Sequence, residues 1–119
     1  MRERRDILDS WYRRELRERA ELLVSRWEKR LGVRLERFSI QRMKTKWGSS
    51  NPKRRTIRLN LELARHTPDC LDYIILHEMA HLLVPNHGEA FTALLDRHMP
   101  EWRITRQTLN ETEQIPLLN

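Results

Sequence analysis

Thr67-Pro68-Asp69-Cys70-Leu71-Asp72-Tyr73-Ile74-Ile75-Leu76-His77-Glu78-Met79-Ala80-His81-Leu82-Leu83-Val84-Pro85 decides the fold, because it joins one apolar helix to one cluster of chemistry. Thr67 suits an N-cap, Pro68 the first helical position and Asp69 the first turn. Leu71, Ile74, Ile75, Met79, Leu82 and Leu83 recur near helical spacing, and Pro85 stops the run after Val84. These signals predict a buried helix of about 17 residues. His77 and His81 are four apart, so a helix sets both rings on one face, with Cβ atoms roughly 5–6 Å apart. Two neutral imidazoles at that spacing can close on one Zn2+, each nitrogen at about 2.0–2.1 Å. Glu78 then stands beside the ion without ligating it, placed to take a proton from water.

The competing interpretation is a solvated polar stripe on a core helix. Two observations weigh against it. His and Glu are costly to bury unless paired or metal-bound, and a further His stands just past Pro85, at His87. Three protein ligands with one open position is the pattern of a catalytic zinc rather than a structural one. The turn Pro85-Asn86-His87-Gly88 reverses the chain and can aim His87 at the first two ligands. Glu89, at the start of a short helix with apolar Phe91, Leu94 and Leu95, is the alternative third ligand. His66 and His98 have no motif partner and read as surface or helix-end residues.

Outward from the motif, residues 6–31 predict one long amphipathic helix. Leu8, Trp11, Tyr12, Leu16, Ala20, Leu23, Trp27 and Leu31 form its stripe, and Gly32 ends it. Val33 to Ile40 alternates apolar and polar, as a half-buried strand does. Lys46 to Ser50 reads as a second strand, Asn51-Pro52-Lys53 as a turn, and Thr56 to Leu59 as a third strand. Asn60 caps a short helix reaching His66. Pro100 can open a last helix through Trp102 and Leu109, and residues 111–119 read as a loose tail. The expected class is α+β, with a small antiparallel sheet and helices packed on one face. An antiparallel edge beside a metal suits a peptide, which can add as a further strand. Trp47, Gly48 and Ser49 are the candidate substrate-binding edge, since Gly permits close backbone approach. Equally open is a core Trp47 with Gly48 at a bulge.

The chain's 119 residues suffice for one domain with a modest core. No apolar run approaches the ~20 residues needed to span a bilayer, so no membrane partner is expected. The start, Met1-Arg2-Glu3-Arg4-Arg5-Asp6, lacks a secretory apolar stretch, and Cys70 alone cannot build a disulfide framework. These features fit a reducing cytoplasm. No feature specifies an oligomeric state. Charge is lopsided: residues 1–60 hold 19 Lys/Arg against 8 Asp/Glu, whereas residues 61–119 hold 4 against 9. Between Glu36 and Glu62 there is no acid, yet Arg37, Arg42, Lys44, Lys46, Lys53, Arg54, Arg55 and Arg58 all occur. Such a block is a solvated face or a surface for phosphates and acidic substrates.

With these residues in view, the chain resembles the YgjP-like metallopeptidases, a zincin group related to the SprT-like proteases. The likeness runs from Trp11-Tyr12-Arg13 through Met43-Lys44-Thr45-Lys46-Trp47-Gly48-Ser49 and Leu59-Asn60-Leu61 to the His77–His81 motif. It continues through Asn86-His87 and Phe91 to Met99-Pro100-Glu101-Trp102-Arg103. By that resemblance His77, His81 and His87 match the zinc ligands and Glu78 the catalytic acid/base. The family has His, not Glu, at the third position. It usually has Cys where Ser50 stands here, and its larger members carry an upstream β-rich domain. Residues 1–119 are thus expected to be a single zincin-like catalytic domain, whole or the core of something longer.

The leading expectation is zinc-dependent hydrolysis of peptide or protein substrates, with Glu78 as general base and Tyr73 a candidate second donor to the oxyanion. The alternative keeps the metal and uses the basic block 37–58 for nucleotide or nucleic acid, as a phosphohydrolase or a DNA-associated protease. A third interpretation, a binding module with a structural zinc, lacks a fourth ligand. Cys70 stands seven residues before His77, about two helical turns away.

Overall fold

Leu16, Ala20, Val24 and Trp27 fall on one stripe of a 30-residue helix, α1 (Arg2–Leu31), and all four are buried. The computed structural model describes residues 2–112. Gly32 closes α1 with φ +70°, the left-handed conformation that costs glycine least, and its N–H reaches Glu28 O at 2.9 Å. The stripe is shorter than expected. Leu8 and Trp11 are each 48% exposed. Asp72 clamps α1 to the motif helix, accepting from Trp27 Nε1 at 2.6 Å and from Arg26 at 2.9 Å.

Three strands follow: β1 (Arg37–Gln41), β2 (Gly48–Asn51) and β3 (Thr56–Asn60). Their spatial order is β1-β3-β2, with β2 antiparallel to β3 and β1 parallel to it. The sheet is therefore mixed, not antiparallel as expected. β3 turns back on β2 as a hairpin and inserts between β2 and β1. Since β1 and β3 run the same way, their pairing must be parallel, and β2 itself serves as part of the crossover. Alternation of residues marks a strand without saying which neighbour it takes.

Asn60 holds this arrangement in place. It is wholly buried, caps the 3-10 turn Leu61–Arg65 by accepting from Glu62 N at 3.0 Å, and donates to Met43 O at 2.9 Å and Lys46 O at 2.7 Å. Its backbone N–H also meets Trp47 O at 3.0 Å. One side chain thus fixes the 42–47 connection that delivers β2. Arg42 staples the same connection, reaching Asp9 on α1 and Glu62, both at 2.9 Å.

The motif helix, α2 (Pro68–Ala80), lies at the centre and touches α1, β2, β3 and the two helices that follow. Ten of its 13 residues are buried. It stops sooner than the 17 residues expected. From His81 the chain tightens, with Leu82 N to Met79 O and Leu83 N to Ala80 O, both 3.0 Å, so Pro85 is met by turns rather than by α-helix. Thr67 occupies the N-cap but makes no side-chain cap bond; its hydroxyl lies 3.6 Å from Cys70 Sγ. Helices α3 (Glu89–His98) and α4 (Trp102–Thr112) complete the described chain. Residues 111 and 112 belong to α4 rather than to a tail, and the remainder of the proposed tail, 113–119, lies outside the described residues. No described helix is long and apolar enough to cross a membrane.

Candidate metal centre

His77 and His81 come from the last turn of α2 and its C-cap, and His87 from the turn after Pro85. Each offers one ligand atom, and these atoms all lie within 4.8 Å of one another. Such a group could hold one metal ion. Glu89 is exposed on the first turn of α3 and is not part of this group.

Two outer contacts orient the rings. His81 Nδ1 faces Val84 O at 3.3 Å, so its proton sits there and Nε2 keeps a free lone pair. His77 Nδ1 faces the Tyr73 hydroxyl at 3.4 Å. Tyr73 is 3% exposed, stacks on Trp102 at 6.2 Å, and does not line the cavity over the histidines. Burial pushes its phenol up to about 12, with the Arg106 charge acting the other way. Its place is behind His77 rather than in front of a substrate carbonyl. Phe91 on α3 packs against all three imidazoles, at 5.0, 4.5 and 5.0 Å between centroids.

Burial lowers the pKa of His81 and, helped by Arg106 on α4, that of His87. Both rings are held in the neutral form that ligates metal. Glu78 is 3% exposed, and burial raises it from 4.5 to about 7 against the opposing pull of a Ser50 hydrogen bond and the Lys46 charge. A carboxyl poised near neutrality can accept and return a proton. The same shift has a consequence for the metal-free protein. A folded state that keeps its proton up to about 7 loses stability as pH rises through that range, by up to about 3 kcal/mol relative to an unshifted carboxyl. Glu78→Gln, which mimics the protonated form, should therefore stabilise the metal-free chain at about pH 8 and leave it unchanged near pH 4. Urea unfolding of both forms at the two pH values checks this.

An open cavity of about 290 Å3 covers the group, lined by Lys46, Gly48, Ser49 and Ser50 on one side and His77, Glu78, His81 and His87 on the other. Gly48 makes this closeness possible. A Cβ there would stand 2.9 Å from Ile74 Cγ2, 3.0 Å from Arg58 O and 3.2 Å from Glu78 Cγ. Glycine is thus required by the packing of β2 on α2, and β2 pairs through it without a bulge. Trp47 departs from the expected edge role. Its side chain is wholly buried, edge-on to His66 at 5.1 Å, in the bend just before β2 rather than in the strand; Gly48 and Ser49 line the cavity. His98 likewise packs, edge-on to Trp27 at 5.9 Å. Sequence reasoning assigned no role at the centre to Lys46, Ser50, Phe91 or Arg106. Only Ser50 carried a signal, as the one position in its motif that departs from the family pattern.

The fold has solved counterparts. The crystal structure of the metallopeptidase zymogen of Pyrococcus abyssi abylysin is similar with a TM-score of 0.75 and 21% identity, over 83% of this chain and 99% of that one. That of the metallopeptidase zymogen of Methanocaldococcus jannaschii jannalysin is similar with a TM-score of 0.68 and 26% identity, over 77% and 94%. No curated protein matches the chain. A histidine group able to hold a metal, on a fold of this kind, marks out the class of small metallopeptidases. Within it, the chain belongs to the YgjP-like family, whose metallopeptidase domain matches residues 1–112. It is a metal-dependent hydrolase.

Proposed function

We propose that the chain hydrolyses peptide bonds with Zn2+ held by His77, His81 and His87 and with Glu78 as general base. The observation that carries this is the convergence of three imidazoles within 4.8 Å beside a buried carboxyl in one open cavity. A nitrogen-only donor set suits zinc, and no other described cluster of His, Cys, Asp or Glu could hold an ion. When bound, the ion supplies Lewis acidity that acidifies water and polarises the substrate carbonyl.

The chain's own residues do the rest. Glu78 takes a proton from the attacking water and returns it to the leaving amine, and its near-neutral pKa serves both transfers. Ser50 holds the carboxyl through its hydrogen bond. Tyr73 and Val84 O hold the His77 and His81 rings. β2 is an edge strand of the sheet and borders the cavity, so a substrate backbone can pair with it and lay its carbonyl over the centre. Gly48 and Ser49 supply the floor of that track, and Trp47 anchors it from within the core. Lys46, which lines the cavity and whose charge reaches Glu78, is a cation available to a developing oxyanion, and the charge of Arg106 reaches His87 and Tyr73. We assign the cytoplasm as the compartment, where the free buried thiol of Cys70 stays reduced.

Stripping the metal with a chelator should abolish cleavage of a mixed peptide library, and one equivalent of Zn2+ should restore it. Undiminished cleavage by demonstrably metal-free protein contradicts the proposal.

A further inference from the structure

The sheet turns one face to the helices, and the other carries charge that the fold does not neutralise. Across the three strands Ser39, Arg58 and Ser49 stand in one row, and Arg37, Thr56 and Asn51 in another. Side chains alternate along a strand, so the rows of Phe38, Ile57 and Ser50 and of Ile40, Leu59 and Gly48 take the opposite face, where Ile40, Ile57, Leu59 and Gly48 are buried. The outer rows border a groove of about 410 Å3, whose cations are Arg37, Lys46, Arg54 and Arg58. None of these four makes an ion pair among the described residues, in contrast to Arg42, which is taken by Asp9 and Glu62. Lys46, Ser49 and Ser50 also line the cavity over the histidines, so groove and cavity are continuous around β2.

We propose that this groove is a specificity subsite for acidic side chains of the peptide substrate, read at alternate positions beside the scissile bond. The inference rests on the peptidase function proposed above. A peptide added to the open edge of β2 sends every second side chain to the outer face, beside Ser49 and Arg58. Asp or Glu at those positions would supply the charge the four cations lack, while the intervening side chains point towards the cavity. A single-stranded nucleic acid fits the groove less well, because it binds by stacking bases on exposed aromatic rings as well as by charge. Phe38 is only half exposed with the Arg17 guanidinium 5.1 Å from its ring, and Trp47 is wholly buried.

The test compares the zinc-loaded chain on matched peptides that carry Glu or Gln at two flanking positions, either adjacent or separated by one residue. The separated Glu pair should raise kcat/KM over its Gln counterpart by about tenfold at low salt, more than the adjacent pair, and the advantage should shrink as ionic strength rises. Combining Arg37→Gln, Arg54→Gln and Arg58→Gln should bring the Glu-to-Gln ratio close to one. A second readout, independent of turnover, is binding of a fluorescent acidic peptide to the Glu78→Gln protein, which the three arginine changes should weaken by a similar factor. Equal cleavage of Glu and Gln peptides overturns the subsite and leaves the peptidase function standing. Cleavage of no peptide overturns both. Tighter capture of a single-stranded oligonucleotide than of the acidic peptide, lost in the triple variant, assigns the groove to nucleic acid and overturns the proposal.

Discussion

Glu78→Gln should lower peptide turnover by about 10²–10⁴-fold, the usual contribution of a positioned general base, while the chain keeps its metal. In energy this is about 3–5 kcal/mol of transition-state stabilisation. The expectation follows from place as much as from acidity. Glu78 follows His77 directly, lies in the cavity lining, and is held by Ser50 from the facing strand. The amide keeps shape and hydrogen bonding but accepts no proton. Loss should appear in kcat more than in KM, because the group acts in the transition state. Turnover within a factor of about three of wild type, with metal content unchanged, would remove Glu78 from the base position.

Asn60→Ala should destabilise the protein by about 3 kcal/mol, since each buried group left without its partner costs about 1–3 kcal/mol. The side chain is wholly buried and bonds to three groups between 2.7 and 3.0 Å: Lys46 O, Met43 O and Glu62 N. That cost is a large part of the ~5–15 kcal/mol that holds a domain folded. Asn60→Asp should fare no better, because a carboxylate would face two carbonyl oxygens with no donor. The change should also loosen β2, the wall of the cavity opposite Glu78. Thermal or urea unfolding of the two variants decides the matter. A loss under about 1 kcal/mol in both would mean that the 42–47 connection is held elsewhere.

The elements set by local pattern are legible in the sequence. The motif helix, its Pro68 start, the strand-forming alternation of β1 and β3 and the Asn60 cap each follow from a few neighbouring residues. The histidine cluster was equally legible, because four-residue helical spacing fixes two rings and a proline turn of six residues brings round the third. What the sequence hid was placement at long range. The strand order β1-β3-β2 depends on which edges meet, and no alternation encodes that. For the same reason Ser50 beside Glu78, Phe91 among the imidazoles and Arg106 near His87 emerge only once the sheet and α4 close around α2. Trp47 shows the opposite failure. Beside a functional glycine it reads as an edge contact, yet it lies in the bend before β2 with its side chain wholly buried.

X-ray absorption at the zinc edge of the purified, metal-loaded chain tests the central claim most directly. The account predicts one ion per chain, with three imidazole nitrogens at about 2.0–2.1 Å and one exchangeable oxygen donor. The nitrogen signal should fall when any one of His77, His81 or His87 is replaced. A chain that binds no ion, or one whose zinc is enclosed by four protein ligands with no exchangeable position, would contradict it.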